Sequence, residues 1–487
     1  ADGMLLLGDN AYTSGTEAEY ITGFFNPYGG NILRNHKLYP APGNHDYYGT
    51  STTSRSGAYY LNFTMPTNGE IGGVPSGTEA FYSYDIGDIH FLSLDSYGEE
   101  ADATKLYDTL GAQVTWIKAD LAATNKKWII AYWHHAPYTM GSHNSDTETD
   151  LRDIRERFIR ILERNGVDMI MCGHSHDYER SYLLKGYYKA NPGDPAVNEV
   201  NFNVNTHTAS NSSARYNGTA NSCPYTYASG KNHHGTVYVL SGSAGADGGV
   251  QSGYPHNALP FSQDDGGMFY FEVENNRLDA KFIRRDGVIA DQFTILKDVN
   301  KTTSLAVTNG SSINLTASWP GNYSWSTGAS NRTVNITPPV NATTNYTVTD
   351  NYGCVTDQFS ITASATLPVS LISFDAKLIG GKTELTWTTS GEINNKFFTI
   401  ERSADSRDFS AIGTINGSGT TNEVRNYAFT DNLPLPGISY YRLVQTDIDN
   451  RNQFLGIRKV NNQSIKDFEV KALTGTPGLL VMQLTTM

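Results

Sequence analysis

The sequence predicts an α/β domain followed by two small all-β domains. In the amino-terminal part, short apolar runs typical of buried strands alternate with helical patterns. Near residue 298 the composition shifts to short strands of alternating polarity, separated by turns rich in Gly, Pro and Asn. The chain has 487 residues. This is too long for one core, and the usual domain size of about 100–200 residues predicts about three units.

The first predicted strand is Met4–Leu7, and a polar turn follows it. Asp9 and Tyr12 lie in that turn, at the carboxyl end of the strand, where open α/β sheets place their chemistry. An aspartate can bridge two cations, and a tyrosine can ligate a hard trivalent ion as phenolate. Gly-Asp-Asn is also a common turn sequence. This turn alone therefore leaves a structural and a metal-binding interpretation open.

Three further apolar runs end in turns that contain Asp, Asn, His or Tyr. The runs and their turns are Lys37–Pro42 with Gly43–Asp46, Trp128–Trp133 with His134–Tyr138, and Val167–Cys172 with Gly173–Arg180. A single His is usually an ordinary core or surface residue, but four such turns in one domain favour a shared site. All 12 histidines lie between His36 and His256, which confines metal chemistry to the first part of the chain.

Asp150–Asn165 is the clearest predicted helix. Its apolar residues fall on one face and its charges on the other, and Gly166 is the expected C-cap. The apolar face consists of Leu151, Ile154, Phe158, Ile161 and Leu162. Three later strands are predicted, of which the last two form a hairpin: Thr236–Leu240, Met268–Glu274 and Leu278–Arg284.

Together these turns resemble the metallophosphoesterases. Tyr12 in the sequence GDNAY and the block Gly173–Arg180, GHSHDYER, make the chain similar to the purple acid phosphatases. Phe81–Asp85, Ile89–Ser96 and Gln113–Ala122 agree with that resemblance. It implies a metallophosphoesterase-type α/β fold, a two-sheet sandwich flanked by helices.

The resemblance covers residues 1–297, which we predict to form the catalytic domain. The family carries an earlier Asp-x-Gly block that supplies a carboxylate to the first metal. No such block precedes Asp9 in this sequence. We therefore expect the sequence to be truncated at its amino end, without the first strand and the first metal block.

A binuclear metal centre is implied by the same resemblance. Asp9 is expected to bridge both metals, with Tyr12 and His176 completing the protein ligands of the first. The second metal is expected to take its ligands from Asn44, His135 and His174. Tyrosinate ligation favours Fe(III) at the first position, and the second could take Fe, Zn or Mn, since nitrogen and oxygen ligands discriminate weakly among these.

Two further histidines are assigned to the chemistry. His45 matches the family's histidine that contacts substrate and leaving group, and His143 is our candidate for protonating the leaving oxygen, with a solvated loop His as the alternative. His134 is expected to pack or to orient a neighbour, because consecutive strand residues face opposite ways. Asp46 is expected to fix a ring nitrogen by hydrogen bonding. Glu179 and Arg180 are typical of the family but could form a structural ion pair.

Tyr187–His234 is rich in Asn, Thr, Ser and Pro and has no clear periodicity. Loops this long are usually functional or disordered. We predict that this segment covers the metal site, with a disordered surface insert as the alternative. The three cysteines, Cys172, Cys223 and Cys354, are far apart and predict no disulfide framework. Cys172 is expected to be a small buried hydrophobe.

The carboxyl-terminal part is predicted to hold two β-sandwiches, an Ig-like domain at 298–365 and a fibronectin type III-like domain at 366–465, with a linker at 363–368. The phrases LPVSLISFDAK and ISYYRLVQTDID resemble modules of bacterial type IX secretion cargo. Residues 466–487 are too short for a sorting domain, so we expect a truncated tail.

Composition limits the partners. The net charge of −13 gives no basic footprint, which disfavours nucleic acid as a binding partner. No apolar run is long enough for a transmembrane segment. Abundant Asn, Thr, Ser and Gly with only 17% charged residues is typical of exported proteins. The resemblance to type IX secretion cargo implies a secreted or cell-surface bacterial protein that uses secretion machinery through its carboxyl-terminal region. A signal peptide is not present in this fragment.

The sequence thus predicts a hydrolase that cleaves phosphate monoesters of small molecules, by in-line attack of a hydroxide held on two metal ions. A phosphodiesterase or nucleotidase would use the same ligands, and Tyr187–His234 does not decide between the two. A surface adhesion or carbohydrate-binding protein with a vestigial phosphatase domain is a further alternative.

Overall fold

The structure, a computed structural model, is described for residues 2–30, 32–191, 193–231, 233–364, 370–448, 450, 452–462, 468–473 and 481–486. It divides into two compact units. The first comprises residues 1–303, 315–334 and 346–359, and the second residues 304–314, 335–345 and 360–487. The predicted domain boundaries at 297 and 365 stay a prediction.

Strands provide most of the regular structure up to residue 297. They are β1 (Met4–Leu7), β2 (Leu38–Ala41), β3 (Tyr82–Ile86), β4 (Ile89–Ser93), β5 (Trp128–Trp133), β6 (Met169–Cys172), β7 (Tyr178–Leu184), β8 (Thr208–Ser210), β9 (Tyr225–Tyr227), β10 (Thr236–Ser241), β11 (Gly267–Glu274), β12 (Arg277–Arg284) and β13 (Ile289–Lys297). β1 pairs with β2 in parallel, and the larger sheets have the orders β3-β4-β5-β6-β10-β7-β8 and β11-β12-β13-β9. Because β4, β5, β6 and β10 are parallel, their carboxyl ends share one edge.

Helices flank these sheets. They are α1 (Glu17–Glu19), continued by a π-helical segment (Tyr20–Phe25) into α2 (Asn26–Tyr28), α3 (Ile32–Asn35), α4 (Asn44–Tyr47), α5 (Ala58–Asn62), α6 (Ala112–Ala123), and α7 (Thr149–Asp153), continued by a π-helical segment (Ile154–Phe158) into α8 (Ile159–Arg164); a short 3-10 helix spans Glu199–Asn201. The helix predicted over 150–165 is confirmed, and Gly166 ends it with φ +72°. The π-helical segment shifts the buried face, so Ile159 is buried and Ile161 only half-buried. Among the described residues, no helix combines the length and apolar character needed to cross a membrane.

The two larger sheets pack against each other through aromatic side chains. The rings of Tyr178 on β7 and Phe282 on β12 stack 4.1 Å apart, and the Trp128 indole on β5 donates to the Asn275 carbonyl at 2.9 Å. All six residues of β5 are buried, as expected for a strand covered on both faces, whereas burial alternates along β12. The predicted two-sheet sandwich flanked by helices is confirmed.

The Asn-rich segment from Tyr187 to His234 is integrated into the sandwich where it is described. Its strand β8 extends the seven-stranded sheet, and β9 pairs in parallel with β13. A disulfide joins Cys223 to Cys354, so the prediction of no disulfide framework is wrong for this pair. Cys172 is free and buried, as predicted.

The rest of the described chain is all-β. Its strands are β14 (Thr302–Thr308), β15 (Ile313–Thr316), β16 (Ser324–Trp325), β17 (Thr333–Ile336), β18 (Thr343–Thr349), β19 (Thr356–Ser364), β20 (Ser370–Ile379), β21 (Lys382–Ser403), β22 (Ser410–Thr421), β23 (Arg425–Asp431), β24 (Gly437–Asp447), β25 (Asn452–Asn462), β26 (Phe468–Leu473) and β27 (Val481–Thr486). In the second unit, β20 to β25 form one sheet around a core that includes Trp387 and Phe398. Residues 365–368 of the predicted linker lie outside the described residues. Of the predicted tail, residues 466–487, only the antiparallel strands β26 and β27 lie within the described residues.

Candidate metal centre

The carboxylate of Asp9 is fixed at the end of β1. Gly8 and Asp9 both have positive φ, +89° and +53°, and turn the chain sharply after the strand. Oδ1 of Asp9 accepts the backbone N–H of His45 at 2.8 Å. The other oxygen, Oδ2, faces the side chains of the neighbouring turns.

Asp46 holds the first two polar turns together. Its buried carboxylate accepts the backbone N–H of Asn10 at 3.2 Å and of Gly43 at 2.9 Å, and the Tyr20 hydroxyl at 2.6 Å. Burial raises the pKa of Asp46 to about 6, although these donors oppose the shift. Its described partners are backbone N–H groups, the Tyr20 phenol and the Asn10 side-chain amide, which donates at 3.0 Å, and not a ring nitrogen, so our expectation for Asp46 is wrong.

The Nε2 atom of His134 lies at the centre of a set of four atoms that could ligate a metal ion. The Nδ1 atom of this ring is 2.9 Å from the Leu7 carbonyl, which only accepts, so Nδ1 carries a proton and Nε2 of the neutral ring presents a lone pair. Nε2 lies 3.1 Å from each of its other neighbours: Asp9 Oδ2, Asn44 Oδ1 and His174 Nδ1. Acceptor atoms this close together repel one another unless a cation or a proton lies between them.

Protonation of His134 meets that need when no cation is bound. Burial by itself lowers the pKa of His134, but the charge of Asp9 and the hydrogen bond to it outweigh burial and raise the pKa. Burial likewise would raise the pKa of Asp9, but His134 holds it well below its usual range. Carboxylate, amide and imidazole donors are a set that Fe, Zn and Mn accept, so these residues fit a metal ion.

Tyr12 and His176 form a second set on the other side of Asp9. The Tyr12 hydroxyl donates to Asp9 Oδ2 at 2.8 Å and lies 3.0 Å from His176 Nε2. Burial and the nearby carboxylate raise the pKa of the Tyr12 phenol well above its usual value. Burial lowers the pKa of His176, which favours the neutral imidazole that a metal requires. Asp9 Oδ2 is therefore common to both sets.

The structure brings all six predicted metal ligands to this site, and adds His134. The Nδ1 atom of His135 lies 2.9 Å from the Ser96 hydroxyl, and its ring stacks on Tyr97. His134, His135 and His174 each offer a nitrogen within 4.8 Å of the others, so the assignment of His135 as a ligand stays a prediction. Our expectation that His134 only packs or orients a neighbour is wrong, because its Nε2 faces the other donors.

His143 and His174 stack with their ring centres 3.7 Å apart. His174 has φ +71°, and burial lowers its pKa to about 4, so its ring is neutral near neutrality. Nδ1 of His143 lies 2.9 Å from Glu148 Oε2. On the opposite side, the ring of His45 lies between those of Tyr12 and Tyr48, 4.4 Å from each.

All six predicted metal ligands, with His45, His143 and Glu148, line a cavity of about 450 Å³, whereas His134 is not among the residues that line it. Tyr48, Tyr97 and the start of α7 complete its wall. Of the described residues between 187 and 234, none lines it, so the prediction that this segment covers the site is wrong. A larger cavity, of about 790 Å³, lies beside Asp88 and Lys127 and contains none of the site residues.

Arg180 and Glu179 do not pair with each other. The Arg180 guanidinium binds Asp291, with Nη2 donating to Oδ1 at 3.0 Å, whereas Glu179 accepts the backbone N–H of Met140 at 2.9 Å. Both side chains are buried, and neither lines the cavity. These contacts favour the alternative of a structural role for both residues, but each binds a different partner and the two do not form an ion pair with each other.

Comparison with known proteins gives matches over this part of the chain. The sequence profile of the calcineurin-like phosphoesterase family matches residues 1–178. Purple acid phosphatase 15 of Arabidopsis thaliana is 30% identical over 213 residues, 38% of this chain and 37% of that protein. Probable inactive purple acid phosphatase 9 of the same plant is 32% identical over 147 residues, 27% of this chain and 20% of that protein. The chain thus spans well under half the length of these relatives.

Among solved structures, the purple acid phosphatase PPD1 from yellow lupin (Lupinus luteus) seeds aligns with 61% of this chain and 47% of its own, at 18% identity and a TM-score of 0.40. The segment matched by the family profile contains the first three polar turns and the fourth as far as Tyr178, and side chains of these turns converge on Asp9. Residues 1–178 thus match the calcineurin-like phosphoesterase family, and the chain is similar to the purple acid phosphatases.

Proposed function

We propose that the amino-terminal part hydrolyses phosphate monoesters of small molecules with a pair of metal ions. The observation that carries the proposal is that Asp9 Oδ2 lies within 3.1 Å of both the Tyr12 hydroxyl and His134 Nε2. One carboxylate oxygen thus serves two donor sets. The first set is Asp9, Tyr12 and His176, and the second is Asp9, Asn44, His134 and His174.

Two metal ions held by these donor sets would supply an activated water and neutralise the charge on the phosphate. The chain's own residues position the ester. His45 donates from Nδ1 to the Thr13 carbonyl at 2.7 Å, so its Nε2, 3.9 Å from Asp9 Oδ2, donates a hydrogen bond to a phosphate oxygen when the ring is the imidazolium. His143 gives its proton to the leaving oxygen as the bond from phosphorus to that oxygen breaks and the bond from phosphorus to water forms.

The metal content and the choice of ester test this function. We expect two metal ions per chain, with faster hydrolysis of nitrophenyl phosphate than of bis(nitrophenyl) phosphate. A Tyr12 phenolate on Fe(III) should give a visible charge-transfer band, and Tyr12→Phe should abolish it. Absence of bound metal would overturn the proposal, and a preference for the diester would replace it with a phosphodiesterase.

The same measurements distinguish His134 from His135. We expect His134→Ala to lose bound metal and activity, because His134 Nε2 lies 3.1 Å from Asp9 Oδ2. We expect His135→Ala to retain metal, because the described contacts of the His135 ring are with Ser96, Tyr97, His134 and His174 and not with Asp9. If His135→Ala lost bound metal and His134→Ala retained it, His135 would be the ligand.

We further propose that the protein is secreted or exposed on the cell surface. The disulfide between Cys223 and Cys354 supports this proposal, because disulfides persist in oxidising compartments. Use of secretion machinery through the carboxyl-terminal region stays a prediction.

A further inference from the structure

One carboxylate contacts both stacked histidines of the site. Glu148 directly precedes α7 and lines the cavity. Its Oε2 lies 2.9 Å from His143 Nδ1 and 3.7 Å from His174 Nε2, while Oε1 accepts the backbone N–H of Asn144 at 2.8 Å. The carboxylate is thus held by the loop that carries His143 and bridges the two rings.

This contact fixes which nitrogens carry protons. A carboxylate only accepts hydrogen bonds, so His143 Nδ1 presents an N–H group to it at 2.9 Å. His174 Nε2 is 3.7 Å from the same oxygen, beyond hydrogen-bond distance, and the negative charge there favours a proton on Nε2 over one on Nδ1. His174 then offers the lone pair of Nδ1 to the set around His134, 3.1 Å away. His143 can then deliver a proton to a leaving oxygen from Nε2 as the imidazolium, and it becomes the neutral ring with its Nδ1–H still on Glu148.

We propose that Glu148 is a positioning residue that holds the metal ligand His174 and the proton donor His143 in one fixed arrangement. The inference rests on the proposed function of this site. Metal-ligating histidines commonly donate their second N–H to a carboxylate, and loss of that partner weakens metal binding by about 10- to 100-fold. Here the same carboxylate also orients the proton donor, so metal binding and proton delivery share one support.

The test compares Glu148→Gln with Asp85→Asn. Asp85→Asn is a matched control, because it also neutralises a partly exposed carboxylate that is paired with a histidine: Asp85 Oδ1 lies 2.8 Å from His90 Nδ1. Asp85 differs from Glu148 in that it does not line the cavity. For Glu148→Gln we expect metal affinity to fall by about 10- to 100-fold. With metal restored, kcat for an alkyl phosphate should fall by about 100-fold, because its alkoxide leaving group needs a proton. The kcat for dinitrophenyl phosphate should change little, because dinitrophenolate leaves without a proton. Asp85→Asn should show neither effect.

Each alternative gives a different pattern. If Glu148→Gln lowered kcat equally for all esters, the effect would be a general structural one. If it changed neither the metal affinity nor the dependence of kcat on the leaving group, Glu148 would have no role in positioning. Either result overturns the proposal. His143, Glu148 and His174 could also hold a cation themselves. A third metal ion per chain that Glu148→Gln loses would show this and would also overturn it. Failure of the proposed function would appear in the unaltered protein, as absence of metal and of hydrolysis.

Should Glu148→Gln fold poorly, Glu148→Asp provides the second test. It keeps the charge but shortens the reach to His174, and the side chain of Glu148 is 38% exposed, so the fold tolerates the change. The same selective loss on the alkyl phosphate is expected. Wild-type kinetics in this variant would contradict a positioning role.

Discussion

The ring of His134 occupies space that three glycines leave free. A Cβ atom on Gly8 would lie 2.5 Å from His134 Nδ1, on Gly43 2.9 Å and on Gly173 3.3 Å. Each of these glycines begins one of the polar turns that carry site residues. The three glycines therefore serve the metal centre by admitting an imidazole among three turns, and Gly8, with φ +89°, also allows the chain to turn sharply.

Replacing Gly8 tests this packing. Gly8→Ala should destabilise the fold and lower metal content, because the methyl group meets the His134 ring and φ is +89°. Gly77→Ala is the matched control, since φ is +71° but the space around it is open. It should cost only the backbone strain of about 1–2 kcal/mol, with metal content unchanged. Equal metal content in both variants would count against the role of Gly8.

Sequence could predict residues whose position follows from the strand just before them. Asp9, His174 and His176 fall in turns after apolar runs, and they do meet. The role of His134 could not be predicted, because it depends on how β1 lies against the end of β5. The partner of Asp46 was missed for the same reason, since the Tyr20 hydroxyl reaches it from a helix.

At the level of elements, His90 on β4 links β3 to α6. Its Nδ1 lies 2.8 Å from Asp85 Oδ1 and its Nε2 lies 2.6 Å from Asp120 Oδ2. Asp120 is fully buried and also accepts the Ser83 hydroxyl at 2.8 Å. Burial lowers the pKa of His90, but the hydrogen bonds and charges of the two carboxylates outweigh it and raise the pKa.

This arrangement predicts a pH-dependent stability. A raised folded-state pKa means that the stabilisation is complete below the unfolded value of about 6.5 and is lost as pH rises through the folded-state pKa. The difference in unfolding free energy between the wild type and His90→Gln should therefore be larger at about pH 5.5 than at about pH 8.5. Chemical denaturation at both pH values measures it. A difference that does not change with pH would rule out a protonated His90 in the folded protein.

Element boundaries were predictable where local signals decide them. The long strand β21 runs through Ser390 and Gly391, residues that commonly occur in turns. Buried Glu392 holds the chain through this irregular region. Its carboxylate accepts the hydroxyls of Thr389 at 2.9 Å and Tyr427 at 2.6 Å. The Tyr427 contact is distant in sequence, so no local pattern could reveal it.

For the molecule as a whole, the disulfide between Cys223 and Cys354 joins parts of the first unit that are 131 residues apart in sequence. Three cysteines allow three pairings, and spacing alone does not choose among them. The Asn-rich segment was misjudged for the same reason. Its strand β9 pairs with β13, about 70 residues later, and only the complete fold brings the two together.

Removing the disulfide should lower stability without affecting the metal centre. The double variant Cys223→Ser, Cys354→Ser should lose about 2–5 kcal/mol of unfolding free energy. Its metal content should not change, because neither cysteine lines the cavity. Reductant should destabilise the wild type to the same extent and have no further effect on the double variant. Equal stability with and without reductant in the wild type would contradict the pairing.

The same covalent link determines what a protease would leave behind. A cut at any single peptide bond between Cys223 and Cys354 gives two fragments that remain attached through sulfur. On a denaturing gel, the nicked protein should migrate near full size until a thiol is added, and only then separate into two bands. Limited digestion of the protein would therefore escape notice under non-reducing conditions.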